Sequence, residues 1–225
     1  MKQRRKRVMD DKIKDAYQTS KNIYDDVLTQ VSFFSRMYIK WFWSGTDDNE
    51  IARKVLDFIP EDFEGTILDV PVGTAVFTEN KWKRLKNAKI TCIDYSEDML
   101  VQARGRLKYC SHIECIQGDV GNLPIENEAY DIVLSMNGFH AFPDKDIAFL
   151  ETWRVLKERG IFIACFYIKG KSRITDLFVN NILSKKGWFT PPFQTEEELM
   201  VILQEKYKDV EFYVDGSMVY FKCVK

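Results

Sequence analysis

The segment at residues 66–75, TILDVPVGTA, constrains the fold more than any other part of this 225-residue chain. An apolar run ends on Asp69 and continues into a tight turn around Gly73, which we expect to open a helix. In an open α/β sheet, ligands lie beyond the carboxyl ends of the strands, where helix N-termini offer unpaired N–H groups. Gly73 can adopt a positive φ and lets a ligand approach the backbone closely. The segment therefore predicts a strand followed by a nucleotide-binding loop.

Further strands follow at the intervals of an alternating α/β chain, at residues 89–93, 113–117, 131–134 and 161–165. The second strand ends on Asp94, about 20 residues beyond the loop, where such a fold places a carboxylate that accepts hydrogen bonds from ribose. Ser96 is a predicted N-cap for the next helix. The third strand ends near Asp119 and the fourth runs into Ser135. Polar groups thus fall repeatedly at strand ends, which predicts one shared site.

These segments resemble the class I S-adenosylmethionine-dependent methyltransferases, and the likeness runs from about residue 65 to the C-terminus. It rests on LDVPVGT at residues 68–74, CIDYSEDML at 92–100, GDVGNLP at 118–124 and RVLK at 154–157, in that order. The nearest group contains small-molecule enzymes, including those of quinone biosynthesis. The resemblance implies an α/β, Rossmann-like, seven-stranded and mostly parallel sheet with helices on both faces, a C-terminal antiparallel hairpin and an N-terminal helical lid.

Two residues depart from the family pattern. Pro71 and Ala75 stand where the family usually has the first and third glycines of its first motif. Proline fixes φ near the value of an ordinary turn, and alanine is expected to add only a methyl group at a helix–strand contact. A dinucleotide oxidoreductase needs these glycines for its pyrophosphate, so their absence argues against that class.

The resemblance implies S-adenosylmethionine as cofactor and S-adenosylhomocysteine as product. Asp94 would accept from the ribose hydroxyls, Asp119 would face the adenine amino group, and Val120 would offer a backbone N–H to the ring. The implied cofactor-binding residues are Asp69, Val70, Pro71, Gly73, Asp94, Tyr95, Met99, Asp119, Val120, Ser135 and Tyr24.

A general base is required only if the methyl acceptor must lose a proton. His140 lies just past the fourth strand and is the candidate, because histidine titrates near neutral pH. A surface or capping histidine explains the same position equally well. Asn137 is placed either to touch the acceptor or to cap the loop.

The last part of the chain predicts a hairpin, because residues 210–214 and 218–222 flank the turn sequence DGS. We expect a single domain in which residues 1–59 form an N-terminal helical segment or lid and residues 60–225 form the methyltransferase domain. Within the first segment Phe34, Tyr38 and Trp41 have helical spacing, which fits a helix packed on the core or a lid over an apolar acceptor.

Composition narrows the choice of partners. The 33 basic and 34 acidic residues give no overall attraction to nucleic acid. The fourth strand lacks the Asn-Pro-Pro-Tyr type of motif used on nucleic-acid amino groups, and Ser135 stands where a metal-dependent catechol enzyme would need a carboxylate. We therefore expect a small-molecule acceptor, no metal and no nucleic-acid partner. Five basic residues among the first seven predict either a solvated end or a contact with nucleic acid or an acidic membrane.

The cysteines and the apolar runs bear on location. No Cys-x-x-Cys pair is present, so we expect reduced thiols and a cytoplasmic protein. The sequence is compatible with either a monomer or a homodimer. No apolar run approaches the roughly 20 residues that span a bilayer.

Three functions stay open from the sequence. The first is methyl transfer to a small, apolar or aromatic acceptor. The second is a catalytically silent methyltransferase-like domain that binds a protein partner, suggested by Pro71, Ala75 and the lack of a certain catalytic residue. The third, a nicotinamide oxidoreductase, is disfavoured by the glycine pattern and the terminal hairpin.

Overall fold

The computed structural model describes residues 48–225. Its helices and strands, in chain order, are α1 Asp48–Asp57, β1 Gly65–Asp69, α2 Glu79–Arg84, β2 Ala88–Asp94, α3 Glu97–Leu107, β3 Ile113–Gln117, β4 Tyr130–Met136, α4 Lys145–Val155, β5 Leu156–Tyr167, α5 Arg173–Phe178, a π-helical turn Val179–Leu183, α6 Glu196–Lys206, β6 Asp209–Asp215 and β7 Met218–Val224. Residues 1–47 lie outside the described part. They include the predicted cofactor-binding residue Tyr24 and the aromatic residues with helical spacing, Phe34, Tyr38 and Trp41.

The strands form one seven-stranded sheet in the order β3-β2-β1-β4-β5-β7-β6. Strands β1 to β5 run parallel, whereas β7 is antiparallel to both β5 and β6. The chain order reverses between β1 and β4, so the carboxyl ends of these strands flank a crevice. The predicted Rossmann-like fold, with its terminal hairpin, is confirmed.

Helices cover both faces of the sheet, and the central strands are apolar on both sides for that reason. In β1, Ile67 belongs to the core beneath α1 and α3, while its neighbour Leu68 belongs to the core beneath α4 and α6. Both side chains are fully buried. Helix α1, which falls in the predicted segment 1–59, contributes Ile51 and Val55 to the first of these cores. The boundary at residue 59 stays a prediction.

Side-chain caps mark the starts of α3, as predicted at Ser96, and of α6. The Ser96 hydroxyl accepts from the Met99 N–H at 3.5 Å at the start of α3. At the start of α6, Thr195 and Glu198 form a reciprocal capping box. These caps satisfy N–H groups that have no partner within the helix, which fixes where each helix begins.

Two local predictions need correction. The turn at Gly73 does not open a helix directly, because a run of turns extends to Thr78 and α2 begins only at Glu79. Strand β5 begins at Leu156, immediately after α4, and not at Ile161. In each place the hydrogen bonds of the backbone, which sequence patterns do not reveal, decide the boundary.

Candidate active site

A cavity opens at the carboxyl ends of β1, β2, β3 and β4. Its volume is about 1080 Å³ when the space in the open mouth is counted. The residues that line it are Asp69, Pro71, Val72, Gly73, Thr74, Val76, Phe77, Thr78, Asp94, Tyr95, Met99, Gly118, Asp119, Val120, Met136, Asn137, Ala141, Phe142 and Pro143.

Asp94 connects the cavity to the loop after β1. Its two carboxylate oxygens accept from the Gly73 N–H at 2.8 Å and from the Ser96 N–H at 2.9 Å. Burial raises the pKa of this carboxyl to about 6, although the backbone hydrogen bonds oppose the shift. Because a carboxylate has about four acceptor positions, Asp94 can accept further hydrogen bonds from a ligand. One side chain therefore both shapes the loop and lines the cavity.

Asp69 forms a second, deeper carboxylate at the end of β1. It is 1% exposed, and its oxygen accepts from the Trp82 indole N–H at 2.9 Å. Burial raises the pKa of Asp69 to about 7, and the negative charge of Asp94 adds to the rise. Burial disfavours the ionised form of this carboxyl, and a nearby cation would stabilise that form. This end of the cavity therefore favours a positively charged ligand group.

The loop after β3 forms the third part of the cavity. Asp119 accepts from the Gly121 N–H at 2.8 Å, which fixes the turn in which Val120 lies. Met99, from α3, is buried on the same side, while Tyr95 is 44% exposed. The side chains of Val120 and Met99 and the ring of Tyr95 thus line the cavity beside the Asp119 carboxylate. This combination suits a flat heterocycle with polar edges.

The loop between β1 and α2 has an unusual backbone. Gly73 has φ 55° and Ala75 has φ 61°, both in the left-handed region, and the Val70–Pro71 peptide bond is cis. The backbone N–H of Val72 donates to the Ile93 carbonyl at 2.9 Å, which ties the loop to β2. Ala75 therefore occupies a position where the backbone itself favours glycine, a requirement beyond the predicted helix–strand contact.

The opposite wall is mostly apolar and follows β4. It consists of Met136, Asn137, Ala141, Phe142 and Pro143. Asn137 has φ 54°, a conformation that asparagine tolerates better than most residues.

The buried side chain of Lys145 supports this wall through hydrogen bonds to backbone carbonyls. Its buried ammonium donates to the Phe142 carbonyl at 3.2 Å and to the Thr190 carbonyl at 2.6 Å. Burial lowers the pKa of Lys145 to about 8. The lysine thereby joins the cavity wall to the loop that precedes α6.

His140 belongs to this supporting layer and does not line the cavity. Its Nδ1 accepts from the Tyr167 N–H at 3.3 Å, and its ring stacks on Phe189 with a centroid distance of 3.9 Å. Burial lowers the pKa of His140 to about 3, and the charge of Lys145 acts in the same direction. At neutral pH the ring is uncharged and its Nδ1 is engaged. The geometry therefore favours a packing role, and the general-base role stays a prediction that this placement does not support.

The cavity brings together eight of the predicted cofactor-binding residues, namely Asp69, Pro71, Gly73, Asp94, Tyr95, Met99, Asp119 and Val120. Val70 and Ser135 do not line it. Val70 packs in the core with Leu68, and the fully buried Ser135 hydroxyl lies beneath Gly138. Tyr24 lies outside the described residues.

Several residues that line the cavity were not predicted from the sequence, chiefly Val76, Phe77, Phe142 and Pro143. They lie in irregular segments, where no periodicity shows which side chains face inward. The one available signal was their position after strands that end at the site. Within residues 48–225, no group of three or more His, Cys, Asp or Glu side chains is arranged to hold a metal ion.

Comparisons with known proteins agree with this architecture. Residues 67–160 match a family model described as a methyltransferase domain. A solved S-adenosylmethionine-dependent methyltransferase from Thermotoga maritima, described as a possible histamine N-methyltransferase, superposes with a TM-score of 0.67 at 19% identity and covers 95% of this chain and 99% of that one. The fold is that of the class I methyltransferases.

Two sequence relatives refine the comparison. An uncharacterized chloroplastic methyltransferase of Arabidopsis thaliana is 24% identical over 194 residues, which is 79% of this chain and 52% of the relative. The demethylmenaquinone methyltransferase of Staphylococcus haemolyticus is 35% identical over 97 residues, which is 43% of this chain and 41% of the relative. The chain thus spans about half the length of these relatives. The resemblance to class I S-adenosylmethionine-dependent methyltransferases of the small-molecule group is confirmed.

Proposed function

We propose that this protein transfers the methyl group of S-adenosylmethionine to a small, apolar or aromatic acceptor. The observation that carries the proposal is the Asp94 carboxylate, which binds the Gly73 N–H and lines the cavity at the end of β2. This is the position where a nucleotide-binding α/β fold presents an acceptor to ribose hydroxyls.

The residues present fit this cofactor. Asp94 would hold the ribose, Asp119 and the Val120 backbone would hold the adenine edge, and Met99 would pack on the ring. Asp69 and Asp94 give the cavity the negative charge that a sulfonium and an ammonium group favour. The cofactor supplies an activated methyl group, and the protein contributes alignment and the exclusion of water.

The acceptor class follows from the opposite wall. Met136, Ala141, Phe142 and Pro143 offer an apolar surface, while Asn137 adds a carboxamide. A small molecule with an apolar body suits this wall, because burying both surfaces removes apolar area from water. Relatives named as demethylmenaquinone methyltransferases agree with such an acceptor.

The proposal is tested by calorimetric titration of the full-length protein. S-adenosylhomocysteine is expected to bind with a micromolar dissociation constant, and NADH, as the parallel control, is expected not to bind. Binding of the first compound alone would justify an acceptor screen. If neither compound binds, the result would contradict the proposal and favour the silent, partner-binding alternative.

Cofactor affinity is expected to fall as the pH is lowered from 8 to 5.5. The pKa values of about 7 for Asp69 and about 6 for Asp94 mean that both side chains are largely ionised at pH 8 and largely protonated at pH 5.5. Only the ionised forms attract a cation, so the affinity for S-adenosylmethionine should drop roughly tenfold or more.

Titration at four pH values measures this effect. S-adenosylhomocysteine, which lacks the sulfonium charge, should lose less affinity than S-adenosylmethionine. The variant Asp69→Asn keeps an acceptor for the Trp82 N–H and should flatten the part of the profile near pH 7. An affinity that does not change with pH would contradict the assignment of these carboxylates.

A further inference from the structure

The helical insert after β5, residues 173–186, carries apolar side chains on its exposed side as well as on its buried side. Its inner face, with Val179 and Leu183, is buried in the core. Its outer face carries Ile174, Leu177 and Ile182, which are 65%, 63% and 41% exposed. A helix of a soluble domain normally turns polar residues outward, so this outer face is suited to a partner.

The insert is firmly held in its orientation. The Tyr167 hydroxyl donates to one Asp176 oxygen at 2.6 Å, and the Gly170 N–H donates to the other at 2.9 Å. Asp176 is the acidic residue of the helix, and these bonds turn its charge toward the protein. The outer apolar face is therefore a fixed feature of the fold.

Basic residues lie at both ends of this face. Arg173 stands at the beginning of α5, and Lys185 and Lys186 follow the π-helical turn. All three are exposed, and none forms an ion pair with an acidic residue within the range 48–225. Lys171 and Lys169, by contrast, pair with Glu196 and Glu198. The uncompensated charge at the insert is thus positive.

We propose that the outer face of residues 173–186 docks on a membrane surface that contains anionic lipids. Charge complementarity favours this occupant, because an apolar stripe bordered by arginine and lysine lets the side chains enter the interface while the cations meet the headgroups. The insert directly follows the carboxyl end of β5, at the same edge of the sheet as the cavity. Docking would therefore bring the cavity close to molecules dissolved in the bilayer.

The experiment is vesicle flotation of the full-length protein. We expect it to float with vesicles of 70% phosphatidylcholine and 30% phosphatidylglycerol, and to float much less with pure phosphatidylcholine or in 0.5 M NaCl, because salt screens the headgroup attraction. The variants Ile174→Asp/Leu177→Asp and Lys185→Glu/Lys186→Glu should each bind anionic vesicles at least about tenfold more weakly.

Matched controls carry the same chemical changes elsewhere. Val101→Asp alters an exposed aliphatic residue of α3, and Lys86→Glu/Lys89→Glu reverses two exposed charges around the amino end of β2, the edge of the sheet opposite to the one that carries the insert. Both should bind vesicles like the unaltered protein, and all variants should keep their S-adenosylhomocysteine affinity, which separates this test from that of the proposed function.

Three results would overturn the proposal. The unaltered protein could fail to float, or the insert variants could float as well as it does, which would assign binding to another segment such as the basic N-terminus. Dissociation of a dimer in Ile174→Asp/Leu177→Asp without any vesicle binding would instead assign the face to a second copy of the chain.

Discussion

Replacing Asp94 with alanine is expected to weaken the binding of S-adenosylhomocysteine by roughly 1–3 kcal/mol, or about five- to 150-fold. The variant would lack the proposed hydrogen bonds from the carboxylate to ribose. The Gly73 N–H, which donates to Asp94 at 2.8 Å, would also lose its partner. The loop that borders the cofactor would then have more freedom in the unbound protein. Ordering it would oppose binding, so both losses act in the same direction.

Calorimetric titration measures the loss, and two further variants separate its causes. Asp94→Asn keeps one oxygen that can accept from Gly73 or Ser96, so it should lose less affinity than the alanine variant. Glu97→Gln removes a neighbouring exposed carboxylate that does not line the cavity, and its affinity should not change. An unchanged affinity in Asp94→Ala would reject the placement of the cofactor.

The polar ends of the regular strands could be predicted from sequence because they follow a simple rule. A parallel strand that is buried on both faces ends where the apolar run ends, and all such ends meet at one edge of the sheet. Asp69, Asp94 and Asp119 were found in this way, and the structure brings them to one cavity.

The direction of individual side chains near the strand ends, and of those in the loops beyond them, could not be predicted with the same certainty. Val70 and Ser135 stand next to lining residues, yet both point away from the cavity, because neighbouring residues of extended backbone face opposite sides. His140 follows a chain turn whose direction depends on contacts with Phe189 and Tyr167, which are distant in sequence. Its apparent position at the site was therefore a matter of sequence order and not of geometry.

At Ala75 the family's preference for glycine has a different physical cause from the one that the motif suggests. From the motif alone, alanine in place of glycine is expected only to add one methyl group between helix and strand. The structure places this residue at φ 61°, before α2 has begun. The preference for glycine thus comes from the backbone conformation, which a motif comparison does not specify.

Replacing Gly138 with alanine is expected to lower the free energy of unfolding by about 1–3 kcal/mol and to weaken cofactor binding as well. A Cβ atom at this position would lie 2.4 Å from the Pro71 Cδ, 2.7 Å from the Phe142 Cζ and 2.8 Å from the Ser135 Oγ. The proline ring cannot rotate away, so the cofactor loop and the acceptor wall would have to separate. Because Pro71 and Phe142 both line the cavity, the strain reaches the site directly.

Urea unfolding followed by circular dichroism, together with S-adenosylhomocysteine titration, measures both effects. Gly105→Ala is the matched control, since this glycine lies inside α3 and an added Cβ would meet no atom within 4 Å. Alanine in a helix interior should raise stability by about 0.5–1 kcal/mol and leave the affinity unchanged. If the free energy of unfolding falls in Gly138→Ala and rises in Gly105→Ala, glycine is required at position 138 by the close contact between the cofactor loop and the acceptor wall. Equal changes in the two variants would contradict that role.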